Sequence, residues 1–113
     1  MAKKLNLKAG TRLRVLGKPR EVDLGDVEVT SLANVKDVLV FVTRLDDLDR
    51  VAAPMIEAAR ADRIAWAAYP KAGQLGTDLN RDVLWKALAK QKIQPVRQVA
   101  VDDVWSALRF RPR

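Results

Sequence analysis

The chain has 113 residues, of which 49% are hydrophobic, and carries a net charge of +7 from 21 basic and 14 acidic residues. This length and composition favour a single globular domain over residues 1–113 and argue against a disordered chain. Cysteine and histidine are both absent. Their absence excludes disulfides, metal sites built on cysteine or histidine, thiol nucleophiles and imidazole acid–base catalysis.

The charge is divided unevenly along the chain. Residues 1–20 carry seven bases and no acid, residues 21–62 carry ten acids and four bases, and residues 63–113 carry ten bases and four acids. A basic surface could meet an anionic partner, or the two basic ends could pack against the acidic middle and neutralise it. No apolar run is long enough to cross a bilayer, and the start lacks the apolar region of a secretory signal, so we expect a cytoplasmic protein with no membrane partner.

Six segments have the residue patterns of β-strands. The first two alternate polar and apolar residues, as strands with one solvated face do, whereas the third and fourth are continuous apolar runs typical of strands buried on both faces. The last two are joined by two aspartates and predict an antiparallel hairpin. In chain order, the predicted strands are Thr11–Leu16, Val27–Thr30, Asp37–Val42, Arg63–Tyr69, Val96–Val101 and Val104–Phe110.

The first predicted helix spans Leu45–Asp62, where apolar residues recur at helical spacing. It contains Pro54, which predicts a kink or a restart with this residue in a first turn. Because the helix lies between the two buried strands, the three elements predict a right-handed βαβ unit with parallel strands.

A second helix is predicted from about Thr77 to Lys92, with Thr77 or Asp78 as the N-cap and Pro95 as the stop signal. Together these elements predict the fold class: an α/β, three-layer, Rossmann-like sheet of about six strands. The sheet is expected to be mostly parallel, with two main helices and a C-terminal antiparallel hairpin.

Three stretches of the second half resemble a small bacterial family. They are Trp66-Ala67-Ala68-Tyr69-Pro70-Lys71, Thr77-Asp78-Leu79-Asn80-Arg81-Asp82-Val83-Leu84-Trp85, and Pro95–Phe110 with its Asp-x-x-Trp-Ser-x-Leu-Arg motif. The family is the domain of unknown function three thousand and fifty-two; the similarity covers residues 62–112, with a looser echo in Lys4–Leu16. Because the family has no established activity, the resemblance implies a bacterial relationship and no chemistry.

The order of elements also resembles the second half of a class I methyltransferase fold, which implies the strand order 2-1-3-4-6-5 counted along this chain. A cofactor-binding methyltransferase needs a glycine-rich turn after its first strand, so that the backbone can approach the ligand. After Leu16 this chain has only Gly17, followed by Lys18-Pro19. The resemblance therefore implies a fold and not an activity.

The loop after the fourth predicted strand leaves the carboxyl end of that strand and enters a helix, which is where open α/β sheets bind ligands. Five residues around it are candidates for binding a small anionic ligand. The alternative is a flexible connector with an ordinary helix cap, whose carboxylates would repel a phosphate. The candidates are Tyr69, Lys71, Thr77, Asp78 and Arg81.

Trp85 is the candidate anchor of an interface. It lies about 150° from the centre of the apolar stripe of the second helix and should point away from the sheet. Arg81 and Lys92 share its side, and an exposed Trp beside Arg is typical of interface anchors. The prediction is a surface for a partner or for self-association, with a homo-oligomer (a dimer) as the expected form. The alternative is that Trp85 folds back under the preceding loop.

The C-terminal hairpin holds the third group of candidates: Asp102, Trp105 and Arg109. Two adjacent carboxylates, Asp102 and Asp103, could suggest acid–base chemistry, but adjacent residues point apart. The favoured interpretation is that one aspartate caps the turn while Trp105 packs in the core. Ser106 has no histidine base, so a serine hydrolase is excluded.

These patterns favour a non-catalytic binding or regulatory domain with no cofactor and no metal. One alternative is an enzyme with a reduced methyltransferase-like site. The other is a weak polyanion or nucleic-acid binder, although the chain has no signature of a known nucleic-acid-binding motif. The enzyme would use Tyr69, Lys71, Asp78 and Asp102; the polyanion binder would use Lys3, Lys4, Lys8, Arg109, Arg111 and Arg113.

Overall fold

A computed structural model describes residues 1–113, which form six strands and two α-helices. A short 3₁₀ turn precedes each helix, at Leu45–Asp47 and Gln74–Gly76. The α/β class and the number of main elements are therefore confirmed. The elements are β1 (Arg12–Leu16), β2 (Glu28–Thr30), β3 (Val38–Phe41), α1 (Leu48–Arg60), β4 (Ala65–Pro70), α2 (Arg81–Ala89), β5 (Ile93–Ala100) and β6 (Trp105–Pro112).

All six strands belong to one mixed sheet in the order β2-β1-β3-β4-β6-β5. This is the order that the resemblance to a class I methyltransferase fold implies. β1 pairs in parallel with β2 and β3, and β3 pairs in parallel with β4, whereas β6 is antiparallel to both β4 and β5. Every residue of β4 is buried, because this apolar strand lies between β3 and β6 with a hydrophobic core on each face.

The two cores differ in what covers the sheet. On one face, α1 and α2 bury their apolar stripes against alternate residues of β3, β4 and β6. On the other face the cover is not helical: it consists of the N-terminal segment around Leu5 and the β1–β2 connection, which contributes Val22, Leu24 and Val27. Both helices therefore lie on a single face of the sheet, and neither is long and apolar enough to cross a membrane.

The second helix is shorter than predicted. Its N-cap is Asn80, whose side-chain oxygen accepts the N–H of Val83 at 2.9 Å, so the predicted caps Thr77 and Asp78 are wrong for this helix. Pro95 does not act as the stop signal, because it lies inside β5 at an irregularity in the pairing with β6. A proline is tolerated there because β5 is an edge strand and needs no second ladder partner.

The prediction that Pro54 begins a new helical turn is also wrong. Pro54 is the seventh residue of α1, which continues on both sides of it. Burial outweighs local preference here, since Ala52, Met55, Ile56 and Ala59 around the proline all lie in the helix-side core.

Candidate functional site

The loop after β4 begins at the rim of the sheet. The N–H of Lys71 donates to the carbonyl of Val104 at 2.7 Å, which ties the exit of β4 to the start of β6. The loop then turns through Gly73, Leu75 and Gly76, all with positive φ. Leu75 has a side chain and is exposed, so this turn holds a left-handed residue at the surface without a packing partner.

The end of this loop is bonded to the chain that follows β3. The Thr77 hydroxyl donates to the Thr43 carbonyl at 2.6 Å, and Arg44 donates through Nη1 to the Gly76 carbonyl at 2.8 Å. One carboxylate oxygen of Asp78 accepts the N–H of Leu45 at 2.8 Å, and the other lies 3.6 Å from Nη2 of Arg44. The candidate residues Thr77 and Asp78 thus bridge the carboxyl ends of β3 and β4.

This bridge places a carboxylate of the chain itself at the start of the helical segment that follows β3. A helix N-terminus with free N–H groups attracts anions, but Asp78 already accepts the first of these donors at Leu45. A phosphate at the start of this helical segment would have to displace Asp78 from both Leu45 and Arg44.

Tyr69, Lys71 and Arg81 flank the same loop, and Arg81 lies close enough to Tyr69 for its charge to act on the phenol. The Tyr69 side chain is in the helix-side core, and its hydroxyl accepts a hydrogen bond from Nε2 of Gln98 at 3.0 Å. Burial raises the pKa of Tyr69, and the charge of Arg81 partly opposes this shift. Lys71 is half-buried and Arg81 is exposed, and neither forms an ion pair with a carboxylate.

Of the three hairpin candidates, Asp102 and Trp105 make structural contacts, whereas Arg109 carries a charge without a partner. Asp102 accepts the N–H groups of Val104 and Trp105 at 2.8 and 2.7 Å on a single oxygen, so it caps the turn. Trp105 is buried and meets the ring of Phe41 edge-on, with centroids 5.1 Å apart.

Arg109 has no such partner. It lies opposite Arg97 on β5, and its Nε is buried without an acceptor. Two like charges directly across a strand pair repel each other, so this part of the β5–β6 ladder is held by its backbone bonds and by burial.

The Trp85 surface is open. Trp85 is 47% exposed on α2, and it lines a shallow depression of about 490 Å³ between α2, the start of β5 and the C-terminal residue. Arg81 lies one turn earlier on the helix and is exposed, as is Lys92 after the helix, but neither lines the depression. The lining residues are Asp82, Trp85, Lys86, Ala89, Gln94 and Arg113.

Sequence reasoning missed the contribution of β5 to this surface. Gln94 lines the Trp85 depression and also a second one beyond it, which Val96 and Arg111 line as well. Val96 is 49% exposed on the edge strand. The signal in the sequence is Pro95. A proline within a strand pattern marks an edge strand, whereas the prediction of a helix stop placed Pro95 outside any strand.

The residues suggested for polyanion binding do not share one surface. Lys8 lies in a shallow depression with Asp26 and Glu28. Arg111 forms a bidentate pair with Asp62 at 3.0 and 3.2 Å, which lowers the pKa of that carboxyl. Lys4 donates to the Ala100 carbonyl, and Arg113 lies beside Trp85.

No family model and no curated protein matches the chain. The structure also brings together no group of three or more carboxylates placed to hold a metal ion.

Proposed function

We propose that this protein is a non-catalytic interaction module that forms a homodimer through the surface around Trp85. The observation that carries the proposal is the half-exposed indole of Trp85 in a depression that shares Gln94 with a second depression on the edge strand β5. Large aromatic side chains in such positions supply most of the binding energy in protein interfaces.

The scaffold of this module is proposed to be a reduced Rossmann-like sheet, with helices on one face and irregular chain on the other. The strand order and the βαβ unit from β3 to β4 support this view. A relationship to the bacterial domain of unknown function is proposed from the quoted motifs alone, which lie on and around β4, α2, β5 and β6.

The ends of the parallel strands support a non-catalytic role. Ligands of open α/β sheets bind in the crevice at these ends, and here the bonds from Thr77 to Thr43 and from Asp78 to Leu45 cross it. At the exit of β1, the Lys18 ammonium folds back onto the Val22 carbonyl at 2.7 Å. The chain uses these polar groups on itself, and a ligand would have to compete for each of them.

The composition of the Trp85 surface suits pairing with a second copy. A two-fold interface brings the same patch together from both copies, so its charges have to be self-complementary. Asp82 lies beside Lys86 and Arg113 in the rim of the depression. An antiparallel arrangement of two copies can therefore set the acid of each against a base of the other, with the indoles at the centre.

The test is the mass in solution. Multi-angle light scattering of the intact chain should give twice the mass of one chain, and Trp85→Glu should give a monomer. We expect the substitution to weaken dimerisation by about 30-fold or more, because truncated hot spots lose at least about 2 kcal/mol.

The matched control is Leu75→Glu, which places the same charge on another exposed apolar residue, outside the depression. It should leave the dimer intact. A monomeric wild-type chain at about 100 μM, where a stable dimer is populated, would contradict the proposal, as would a Trp85→Glu variant that remains dimeric.

A further inference from the structure

A groove of about 380 Å³ lies on the helix face of the sheet. None of its lining residues belongs to the Trp85 surface. The groove exists because seven residues, Ser31–Asp37, connect β2 to β3 across β1 without forming a helix. The connection forms one wall of the groove, the C-terminal half of α1 forms the other, and β1 and β3 form the floor. This volume falls in the range of small-molecule sites, about 300–1,000 Å³.

The floor of this groove carries a cation where an apolar residue would be expected. Arg14 on β1 lies opposite Val38 on β3 and lines the groove. Two residues later on the same face of the strand, Leu16 packs against the helix-side core. Arg14 takes part in no side-chain hydrogen bond or ion pair, and its Nε is buried without an acceptor.

The acceptors around the groove are only partly engaged, and the side chain of Glu57, which lines it, forms no hydrogen bond or ion pair. The carboxylate of Asp37 accepts the N–H of Ile64 at 3.0 Å and lies 3.5 Å from Nε of Arg63. At the end of α1, the Ala58 carbonyl accepts the N–H of Arg63 at 2.8 Å, and the Glu57 carbonyl accepts that of Ala61 at 3.1 Å. The guanidinium of Arg14 nonetheless forms no hydrogen bond or ion pair with Glu57, with Asp37 or with any other side chain.

Four charged and six apolar residues line the groove. Lys36 and Arg63 add two positive charges to that of Arg14, against the carboxylates of Glu57 and Asp37. Between these groups the wall is apolar. It is formed by Ala33, Val35, Val38, Pro54, Ala58 and Ala61.

We propose that this groove binds a small amphipathic anion, an organic carboxylate or phosphate ester with a compact apolar body. The oxyanion head accepts hydrogen bonds from the Arg14 guanidinium, beside Lys36 and Arg63. The apolar body lies on Val35 and Pro54. A guanidinium matches the geometry of carboxylate and phosphate oxygens, and the site lies at the amino ends of β3 and β4, away from the crossed crevice at their carboxyl ends.

The experiment titrates the intact chain with anilinonaphthalene sulfonate, an oxyanion with an aromatic body, and follows its fluorescence. Arg14→Gln should weaken binding about tenfold or more, since hydrogen bonds to charged groups are among the strongest. The matched control is Arg20→Gln, which removes an exposed cation outside the groove, and should bind as the wild type does. Equal binding by Arg14→Gln and the wild type would overturn the proposal.

Competitors identify the head group. Benzoate and phenyl phosphate share an aromatic body and differ in the oxyanion. Displacement of the probe by only one of them shows whether the groove prefers a carboxylate or a phosphate, and displacement by both shows that the groove accepts both oxyanions. Inorganic phosphate, which has no apolar body, should compete far less well than phenyl phosphate. Failure of both aromatic competitors, or equal competition by inorganic phosphate, would refute an amphipathic ligand.

A second variant separates binding from folding. Arg14→Met keeps the length of the side chain and removes a buried donor that has no acceptor, so its unfolding midpoint should equal or exceed that of the wild type while binding of the probe is lost. A clear drop in its midpoint would show that Arg14 has a structural role and would contradict the proposal.

Discussion

The polar residues that are candidates for ligand binding or acid–base chemistry in this sequence stabilise loops and turns instead. Asp78 accepts a hydrogen bond from the N–H of Leu45, and Thr77 donates one to the carbonyl of Thr43. Asp102 accepts the N–H of Val104 in the turn of the hairpin. In contrast, Arg14 is an ordinary polar residue of an alternating strand, yet its guanidinium has no partner. At the scale of single residues, a buried polar group without a partner requires an explanation, and for Arg14 the ligand groove is the one we propose.

The two aspartates of the hairpin provide a matched comparison. Asp102 accepts two backbone N–H groups, whereas Asp103 is exposed and makes no side-chain hydrogen bond. Asp102→Ala should lower the free energy of unfolding by about 1–2 kcal/mol, as lost caps do, and Asp103→Ala should change it by less than about 0.5 kcal/mol. Urea denaturation of both variants measures the difference, and equal effects would show that the turn does not depend on this cap.

Tyr69 provides a prediction on pH. Because burial raises its pKa in the folded chain, the unfolded chain loses the phenolic proton first as the pH rises. The contribution of this group to stability is therefore complete below pH 10.0, the unperturbed value, and is lost as the pH rises above it.

The measurement is direct because Tyr69 is the only tyrosine. The absorbance of tyrosinate should titrate at a higher pH in the folded chain than in urea, and Tyr69→Phe should flatten the decline of stability above pH 10.0. Coincident titrations of the folded and unfolded chains would contradict the predicted shift.

At the scale of elements, packing decides where each segment begins and ends. The 13 residues of α1 continue through Pro54, since the residues on both sides of it are buried. β5 begins at Ile93, two residues before the proline, because Ile93 is buried against the core. Local signals predicted that these segments exist, and the core determined their ends.

Immediately after β1, the backbone passes close to β3. Gly17 has a φ of 75°, and a Cβ added there would lie 3.0 Å from the Phe41 carbonyl of β3. Gly25 has a φ of 59° but open space around it. Gly17→Ala should therefore destabilise the fold by about 2–3 kcal/mol, and Gly25→Ala by about 1–2 kcal/mol from the backbone alone.

Thermal or urea unfolding of the two variants gives the comparison. The difference between them isolates the contact with β3, because both glycines have a left-handed backbone. A cost for Gly25→Ala equal to that for Gly17→Ala would show that the approach of the β1 exit to Phe41 contributes nothing.

At the scale of the whole molecule, the sheet is covered unequally. Helices cover β3, β4 and β6 on one face, and irregular chain covers the other. Two parts of the helix face are left incompletely covered: β1, where the Arg14 groove lies, and the β5 edge beside Trp85. The two proposed surfaces are consequences of having only two helices for six strands.

The proposed dimer has a thermodynamic signature at this scale. If the dimer is the folded form, its thermal midpoint should rise with protein concentration, because dilution favours dissociated chains. The midpoint of Trp85→Glu should not depend on concentration. A wild-type midpoint that stays constant over a hundredfold range of concentration would contradict self-association.

The sequence by itself determined the α/β class, the burial of β4 and the exclusion of thiol and imidazole chemistry, since periodicity and composition are local properties. It also indicated the exposure of Trp85, because the direction of a helical side chain follows from its spacing. Tertiary structure alone decided that Asp78 accepts a hydrogen bond from Leu45 and that the guanidinium of Arg14 has no partner. Their partners lie on loops and strands distant in the chain, and no local pattern records which of these meet.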